Sequence, residues 1–212
     1  MRTHTRPRVW GIGLTRTGTT SLSAALRHLG YASIHWPTLT ALLYGDLEAA
    51  TDESVAAMFA YLDRRFPGSK FVITERDEGT WLASTARHRA QSHKKTARLL
   101  SRPLEDLSAI ERDRWVEIQF TQTFLYGTVE FDERLFVLGF RRYHERVREY
   151  FAGREHDLLR LRLCDGDGWG PLCDFLETSI PAVCFPSKNA SKSRPLPHPC
   201  DAAPATPEVA IL

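Results

Sequence analysis

A glycine-rich turn near the amino terminus constrains the fold of this chain more than any other segment. Residues 9–14 form a short apolar run interrupted by glycines, and over 19–29 leucine and alanine recur at helical spacing until Gly30 ends the pattern. The turn between them, residues 11–21, reads GIGLTRTGTTS. A strand, a turn of this kind and a helix together bring backbone N–H groups to the positive end of the helix dipole. The sequence therefore predicts an anion-binding loop that suits a phosphate.

Strands and helices alternate along the rest of the chain. Apolar runs predict three more strands, at 31–35, 70–74 and 158–163. Helical spacing predicts five more helices, at 54–66, 79–91, 104–126, 132–151 and 169–176. This alternation predicts an α/β fold, a P-loop-like three-layer domain with a mainly parallel central sheet. The helical stretch without a strand, about 86–151, is expected to form a cap that could build an acceptor pocket.

The carboxyl-terminal end differs in composition from the rest of the chain. Five of the 12 prolines fall within residues 195–212, which contain no lysine or arginine. We expect one domain over 1–194, followed by a disordered tail over 195–212. The four cysteines lack CxxC spacing and nearby histidines at zinc-site intervals, which predicts reduced thiols and no metal site.

The charge balance restricts the class of partner. The chain has 28 Lys+Arg against 26 Asp+Glu, a formal net charge of +2, so no general attraction to nucleic acid is expected. Between Glu78 and Glu105, however, no acidic residue occurs and basic residues accumulate over 87–102. This segment could attract an anionic acceptor, a membrane surface or nucleic acid, or form a solvated helix face; it lacks the interleaved aromatic residues that favour RNA. No apolar stretch approaches about 18 residues, and we expect a cytoplasmic protein.

The glycine-rich turn differs from a nucleoside-triphosphate P-loop at one position. Gly13 and Gly18 match the two P-loop glycines and Thr20 the Ser/Thr position, but Thr19 replaces the lysine that reaches the terminal phosphates. The turn therefore does not favour ATP or GTP hydrolysis. A cation occurs earlier instead, at Arg16, where it could face a charged group attached to a single bound phosphate.

The segment Arg16-Thr17-Gly18-Thr19-Thr20 resembles the first motif of the sulfotransferases that use 3′-phosphoadenosine 5′-phosphosulfate (PAPS). The longer run GIGLTRTGTTSLSAALRHLGY is similar to the bacterial and fungal branch, in which arginine replaces the catalytic lysine. The resemblance implies PAPS as donor without a metal, and a phosphosulfate loop over 15–20. It also implies a catalytic role for Arg16, which can stabilise charge but, being always protonated, cannot act as a general acid.

A second motif of the same family holds the 3′-phosphate with an arginine after a strand and a serine eight residues later. Arg76 and Ser84 have this spacing, and an arginine fork with a hydroxyl suits a phosphate. Lys188 is a further candidate, because a basic loop closes over this phosphate in relatives. Two residues depart from the family pattern: Thr15 stands where glycine or proline is usual, and Glu75 where a small or apolar residue usually precedes the arginine.

Sulfuryl transfer also needs a base near the acceptor hydroxyl. His35 is the first candidate, since it ends the second predicted strand in a His-x-Pro pattern that resembles the catalytic segment of relatives. Asp52 is the reserve, with a helix N-cap as its simpler explanation. The expected acceptor is a small molecule, a glycan or a lipid with a hydroxyl or amine. The alternatives are a P-loop kinase or NTPase and a non-catalytic module that binds a nucleotide or another anion.

Overall fold

The computed structural model describes residues 6–188, without the side chains of residues 93–95. The strands are β1 (Val9–Gly11), β2 (Ser33–His35), β3 (Ala49–Thr51), β4 (Lys70–Thr74) and β5 (Leu158–Leu161). The α-helices are α1 (Thr19–His28), α2 (Leu39–Tyr44), α3 (Glu53–Arg65), α4 (Glu78–Leu100), α5 (Ala109–Tyr126), α6 (Glu133–Tyr150) and α7 (Trp169–Phe175). The predicted tail over 195–212 lies outside the described residues.

The five strands form one parallel sheet in the order β2-β3-β1-β4-β5. The central position of β1 places the loop that follows it at the middle of the carboxyl-terminal edge of the sheet, where open α/β sheets bind their ligands. Strand β3 was not predicted, because its sequence, Ala-Ala-Thr, contains two alanines, which do not favour strands. It forms because Ala49 pairs with Val9 on one side and with Ser33 on the other.

Helices cover both faces of the sheet and enclose two apolar cores. The first core lies between the sheet and helices α3 and α6; its largest side chains include Trp10, Phe59, Phe71, Phe136 and Phe151. The second core lies between the sheet and helices α1 and α7; it includes Leu22, Leu26, Val72, Trp169 and Leu172. The structure therefore confirms the predicted three-layer α/β fold with a parallel sheet.

The helical region after β4 consists of α4, α5 and α6. Helix α4 extends beyond the predicted end at residue 91, since no glycine or proline occurs before Pro103. Helix α5 packs against α2, α3, α4 and α6 and forms an outer helical layer. Helix α6 also reaches the sheet, where the Tyr143 hydroxyl donates to the carbonyl of Ile12. In the part of the chain that is described, no helix is long and apolar enough to cross a membrane.

Candidate active site

Two glycines shape the loop between β1 and α1. A Cβ on Gly13 would lie 1.8 Å from the Thr74 hydroxyl at the end of β4, so only glycine lets the loop approach this strand. Gly18 has a φ of 111° and precedes α1, which begins with no capping side chain and no acidic residue in its first turn. The first N–H groups of a helix lack acceptors within it. The loop therefore presents helix N–H groups that could bind an anion.

Buried hydrogen bonds fix this loop from behind. The Thr17 hydroxyl lies 2.6 Å from both the Leu14 carbonyl and the Thr74 hydroxyl, and the Trp81 indole N–H of α4 donates to the Thr15 carbonyl at 2.9 Å. Thr17 is fully buried. Its side chain holds the loop against β4, so Thr17, a predicted cofactor-binding residue, would contact a phosphate through its backbone.

The two predicted phosphate motifs meet at Arg16. Arg76 donates through Nη1 to the Arg16 carbonyl at 3.1 Å, and Arg16 donates through Nε to the Ser84 hydroxyl at 3.2 Å. Arg76 Nε also donates to Thr80 at 3.3 Å, whereas its Nη2 has no hydrogen bond to any described residue. The structure thus brings Arg16, Arg76 and Ser84 together at one end of the loop, with guanidinium N–H groups left to bind an anion.

Glu75 does not oppose Arg76, although the two are neighbours in sequence. Glu75 follows β4 and forms an ion pair with Arg160 of the adjacent strand β5, while Arg76 turns toward the loop. The departure of Glu75 from the family pattern therefore leaves no unpaired negative charge beside the candidate phosphate site.

His35 lies at the opposite end of the loop and contacts threonines through both ring nitrogens. Its Nε2 lies 3.0 Å from the Thr20 hydroxyl, and its Nδ1 lies 3.1 Å from the Thr51 hydroxyl. Burial, and then the charge of Arg27, lowers the pKa of His35 from 6.5 to about 4. The ring is therefore neutral near physiological pH and bound to Thr20, a residue of the anion loop.

Asp52 follows β3 beside His35, with its Oδ2 3.4 Å from His35 Nε2. Its Oδ1 accepts the Glu53 N–H at 2.9 Å and caps α3, as the simpler explanation predicted. Burial, and then the neighbouring Glu53 charge, raises the pKa of Asp52 from 3.8 to about 8. This carboxyl group is therefore mostly protonated near neutral pH.

Strained backbone accumulates at this edge of the sheet. Among the described residues, four non-glycine residues have positive φ, and three of them follow β1, β2 and β3: Arg16 (65°), Trp36 (56°) and Asp52 (101°). Such conformations cost of order 1–3 kcal/mol each and concentrate at functional sites. The distribution of strain marks the same edge as the phosphate motifs do.

Two buried glutamates, which the sequence reasoning missed, line the helical side of the site. Glu53 of α3 accepts from the Tyr126 hydroxyl and the Gln122 amide of α5, each at 2.7 Å. Glu117 of α5 accepts from the Trp36 indole N–H at 2.9 Å, and burial raises its pKa. Glu117 and Trp36 are separated by 81 residues in the sequence, so no local pattern could have indicated their contact.

Lys188 lies near the first turn of α1, where its backbone N–H donates to the Ser21 hydroxyl at 3.0 Å. Its side chain is exposed. Over the described residues, no group of three or more His, Cys, Asp or Glu side chains could hold a metal ion.

Comparison with known proteins identifies the family. The family model described as "Sulfotransferase domain" matches residues 8–41 and 37–194. No curated protein gives a significant match. The matched segments span most of the 212 residues, including the anion loop, Arg76, Ser84 and Lys188. We conclude that this chain belongs to the sulfotransferase domain family and is a transferase.

Proposed function

We propose that the protein transfers a sulfuryl group from PAPS to a hydroxyl or amine acceptor. The observation that carries this proposal is the meeting of the two phosphate motifs at Arg16, with both contacts within 3.2 Å. A ligand with one anionic group in the loop and a second one at Arg76 and Ser84 matches this arrangement. PAPS has such a pair, a 5′-phosphosulfate and a 3′-phosphate.

In this proposal the 5′-phosphosulfate is bound by the backbone N–H groups of residues 15–20 and by the Thr20 hydroxyl. The residues that contribute through their backbone are Thr15, Thr17, Gly18 and Thr19. Arg76 binds the 3′-phosphate with its unpaired Nη2, and Ser84 adds a neutral donor. The backbone N–H of Lys188 donates to the Ser21 hydroxyl in the first turn of α1, and from this position the Lys188 side chain would contact the 3′-phosphate. The charge of the ligand is balanced by arginine, lysine and helix N–H groups, so no divalent cation is required.

Bound PAPS supplies an activated sulfuryl group whose transfer leaves negative charge on the 5′-phosphate. Arg16 belongs to the loop where this charge develops, and its guanidinium stabilises the leaving oxygen electrostatically. The acceptor approaches from the carboxyl-terminal edge, where His35 and Asp52 were predicted as bases. A small molecule, a glycan or a lipid alcohol can each supply the accepting group.

One observation supports a P-loop kinase or NTPase as the second candidate. Asp52 follows β3, the neighbour of β1, and P-loop NTPases bind Mg²⁺ through an aspartate that ends such a strand. The sulfotransferase is favoured because Thr19 stands at the position of the phosphate-binding lysine.

A ligand panel separates these functions by thermal shift. We expect adenosine 3′,5′-bisphosphate to stabilise the protein without metal, by about 2.7 kcal/mol at a concentration of a hundred times its Kd. Its stabilising effect should exceed that of adenosine 5′-phosphate at the same concentration. A larger shift with ATP and Mg²⁺ would contradict the proposal and favour the kinase. RNA and anionic lipid vesicles in the same panel test the basic segment 87–102. The non-catalytic alternative predicts bisphosphate binding without release of sulfate from labelled PAPS.

A further inference from the structure

One face of α4 runs along the candidate active site. Near its amino-terminal end, Trp81 and Ser84 contact the anion loop at Thr15 and Arg16. His88 follows Ser84 by four residues, so its imidazole lies one turn further along the same face. The next residue, Arg89, reaches Glu53 of α3, with Nη2 3.6 Å from Oε2. His88 therefore lies on α4 between Ser84, which contacts the loop, and Arg89, which contacts the buried Glu53.

The hydrogen bonds of His35 and His88 differ in a way that matters for proton transfer. Both ring nitrogens of His35 lie within hydrogen-bond distance of a threonine hydroxyl, Nδ1 of Thr51 at 3.1 Å and Nε2 of Thr20 at 3.0 Å. In a neutral ring one nitrogen donates and the other accepts, so the lone pair that a base would use is already engaged in either tautomer. The imidazole of His88, by contrast, is half-buried and makes no hydrogen bond to any residue of the described part of the chain.

The charges around His88 come from three elements. Burial lowers its pKa below the usual 6.5, and the charges of Arg16 in the loop and Arg89 in α4 lower the pKa further; Glu53 of α3 acts in the opposite direction. Near neutral pH the ring is neutral, so one ring nitrogen has a lone pair that can accept a proton.

We propose that His88 is the general base that takes the proton of the acceptor, and that His35 is a positioning residue that orients the Thr20 hydroxyl. This assignment rests on the proposed function. The acceptor oxygen forms a bond to sulfur, and the bond between sulfur and the 5′-phosphate oxygen breaks. The electron pair of that bond stays on the phosphate oxygen near Arg16. The acceptor proton moves to the free ring nitrogen of His88, which later releases it to solvent.

Water serves as the acceptor in a test that requires no known substrate. Sulfate release from labelled PAPS is measured in single turnovers with enzyme in excess, over a range of pH. We expect the wild-type rate to rise with pH through an ionisation below 6.5 and then to become constant. His88→Ala and His88→Gln should lose this rise together with about 10² to 10⁴ of rate, and added imidazole should partly restore His88→Ala. The exposed His156→Gln serves as the matched control with an unchanged profile.

His35 variants test its positioning role through a different readout. His35→Ala should weaken the binding of adenosine 3′,5′-bisphosphate but keep the pH-dependent rise in rate. His35→Gln retains a polar side chain that can hydrogen-bond with the Thr20 hydroxyl and should restore the affinity. Loss of the pH-dependent rise in the His35 variants, with its retention in His88→Gln, would overturn the assignment and make His35 the base.

A titration of the His88 ring by NMR tests its location without catalysis, with His88→Gln used to assign the signal. We expect the His88 pKa to rise in Arg16→Gln, which removes a nearby positive charge, and to rise when adenosine 3′,5′-bisphosphate binds. A His88 pKa that responds to neither change would overturn the proposal. A wild-type protein that fails to bind the bisphosphate, or that binds it without accelerating sulfate release, would instead refute the proposed function itself.

Discussion

Removal of the Arg76 side chain should weaken the binding of adenosine 3′,5′-bisphosphate, because two separate hydrogen bonds are lost. The first is a charge-assisted bond to the 3′-phosphate, about 1.5–3 kcal/mol. The second is the bond from Nη1 to the Arg16 carbonyl, which steadies the loop equally for both ligands. Only the first depends on the 3′-phosphate. Arg76→Ala should therefore weaken the bisphosphate by a further factor of about 10 to 150 beyond its effect on adenosine 5′-phosphate, which lacks that group.

Isothermal titration calorimetry of both ligands with wild type and Arg76→Ala measures this difference as a thermodynamic cycle. Arg76→Lys keeps the charge but loses the two-pronged guanidinium, so its affinity for the bisphosphate should lie between those of wild type and Arg76→Ala. Arg148→Ala removes the same charge from the exposed surface of α6 and should change neither affinity. Equal losses for the two ligands in Arg76→Ala would refute the reasoning, since Arg76 would then act only through the Arg16 carbonyl.

Three further predictions follow from the loop and its surroundings. Gly13→Ala places a Cβ 1.8 Å from the Thr74 hydroxyl and should lower the free energy of unfolding by about 1–3 kcal/mol, which corresponds to about 2–4 °C in Tm per kcal/mol. Gly170→Ala is the control, because its Cβ would meet nothing within 4 Å and its Tm should not change. Equal Tm values for the two variants would contradict the close packing at Gly13. Arg16→Ala should depress sulfate release from PAPS far more than it weakens bisphosphate binding, and parallel losses would argue against transition-state stabilisation. The pKa of Asp52 is raised from 3.8 to about 8, so the folded state binds the extra proton between these values and ionisation costs stability as pH rises. In urea unfolding, Asp52→Asn should therefore be more stable than wild type near pH 8 but not near pH 4. Asp174→Asn, at an exposed position, should show no such dependence on pH. A stability difference between Asp52→Asn and wild type that does not change with pH would be inconsistent with a buried, protonated Asp52.

The sequence alone determined the parts of this protein that depend on local spacing. The glycines and the helical pattern of residues 11–29 predict a strand, a glycine-rich loop and a helix, and the structure has β1 and α1 joined by this loop. The strand over 70–74 has the predicted bounds, because five consecutive residues with a buried, β-branched core carry their own signal. The spacing of Arg76 and Ser84 indicated a second phosphate site, and the two side chains do meet at Arg16.

Only the tertiary structure decided which distant side chains share the active-site edge. Strand β3 exists because β1 and β2 pair with it on both sides, and the strained turn after it brings Asp52 beside His35. His88 occurs in a basic segment whose sequence does not distinguish one arginine or histidine from the next. The packing of α4 against the loop brings His88 close enough to Arg16 for the Arg16 charge to lower the pKa of its imidazole. Such contacts depend on long-range packing and on the loss of solvent around charged groups, and neither is encoded by the spacing of neighbouring residues.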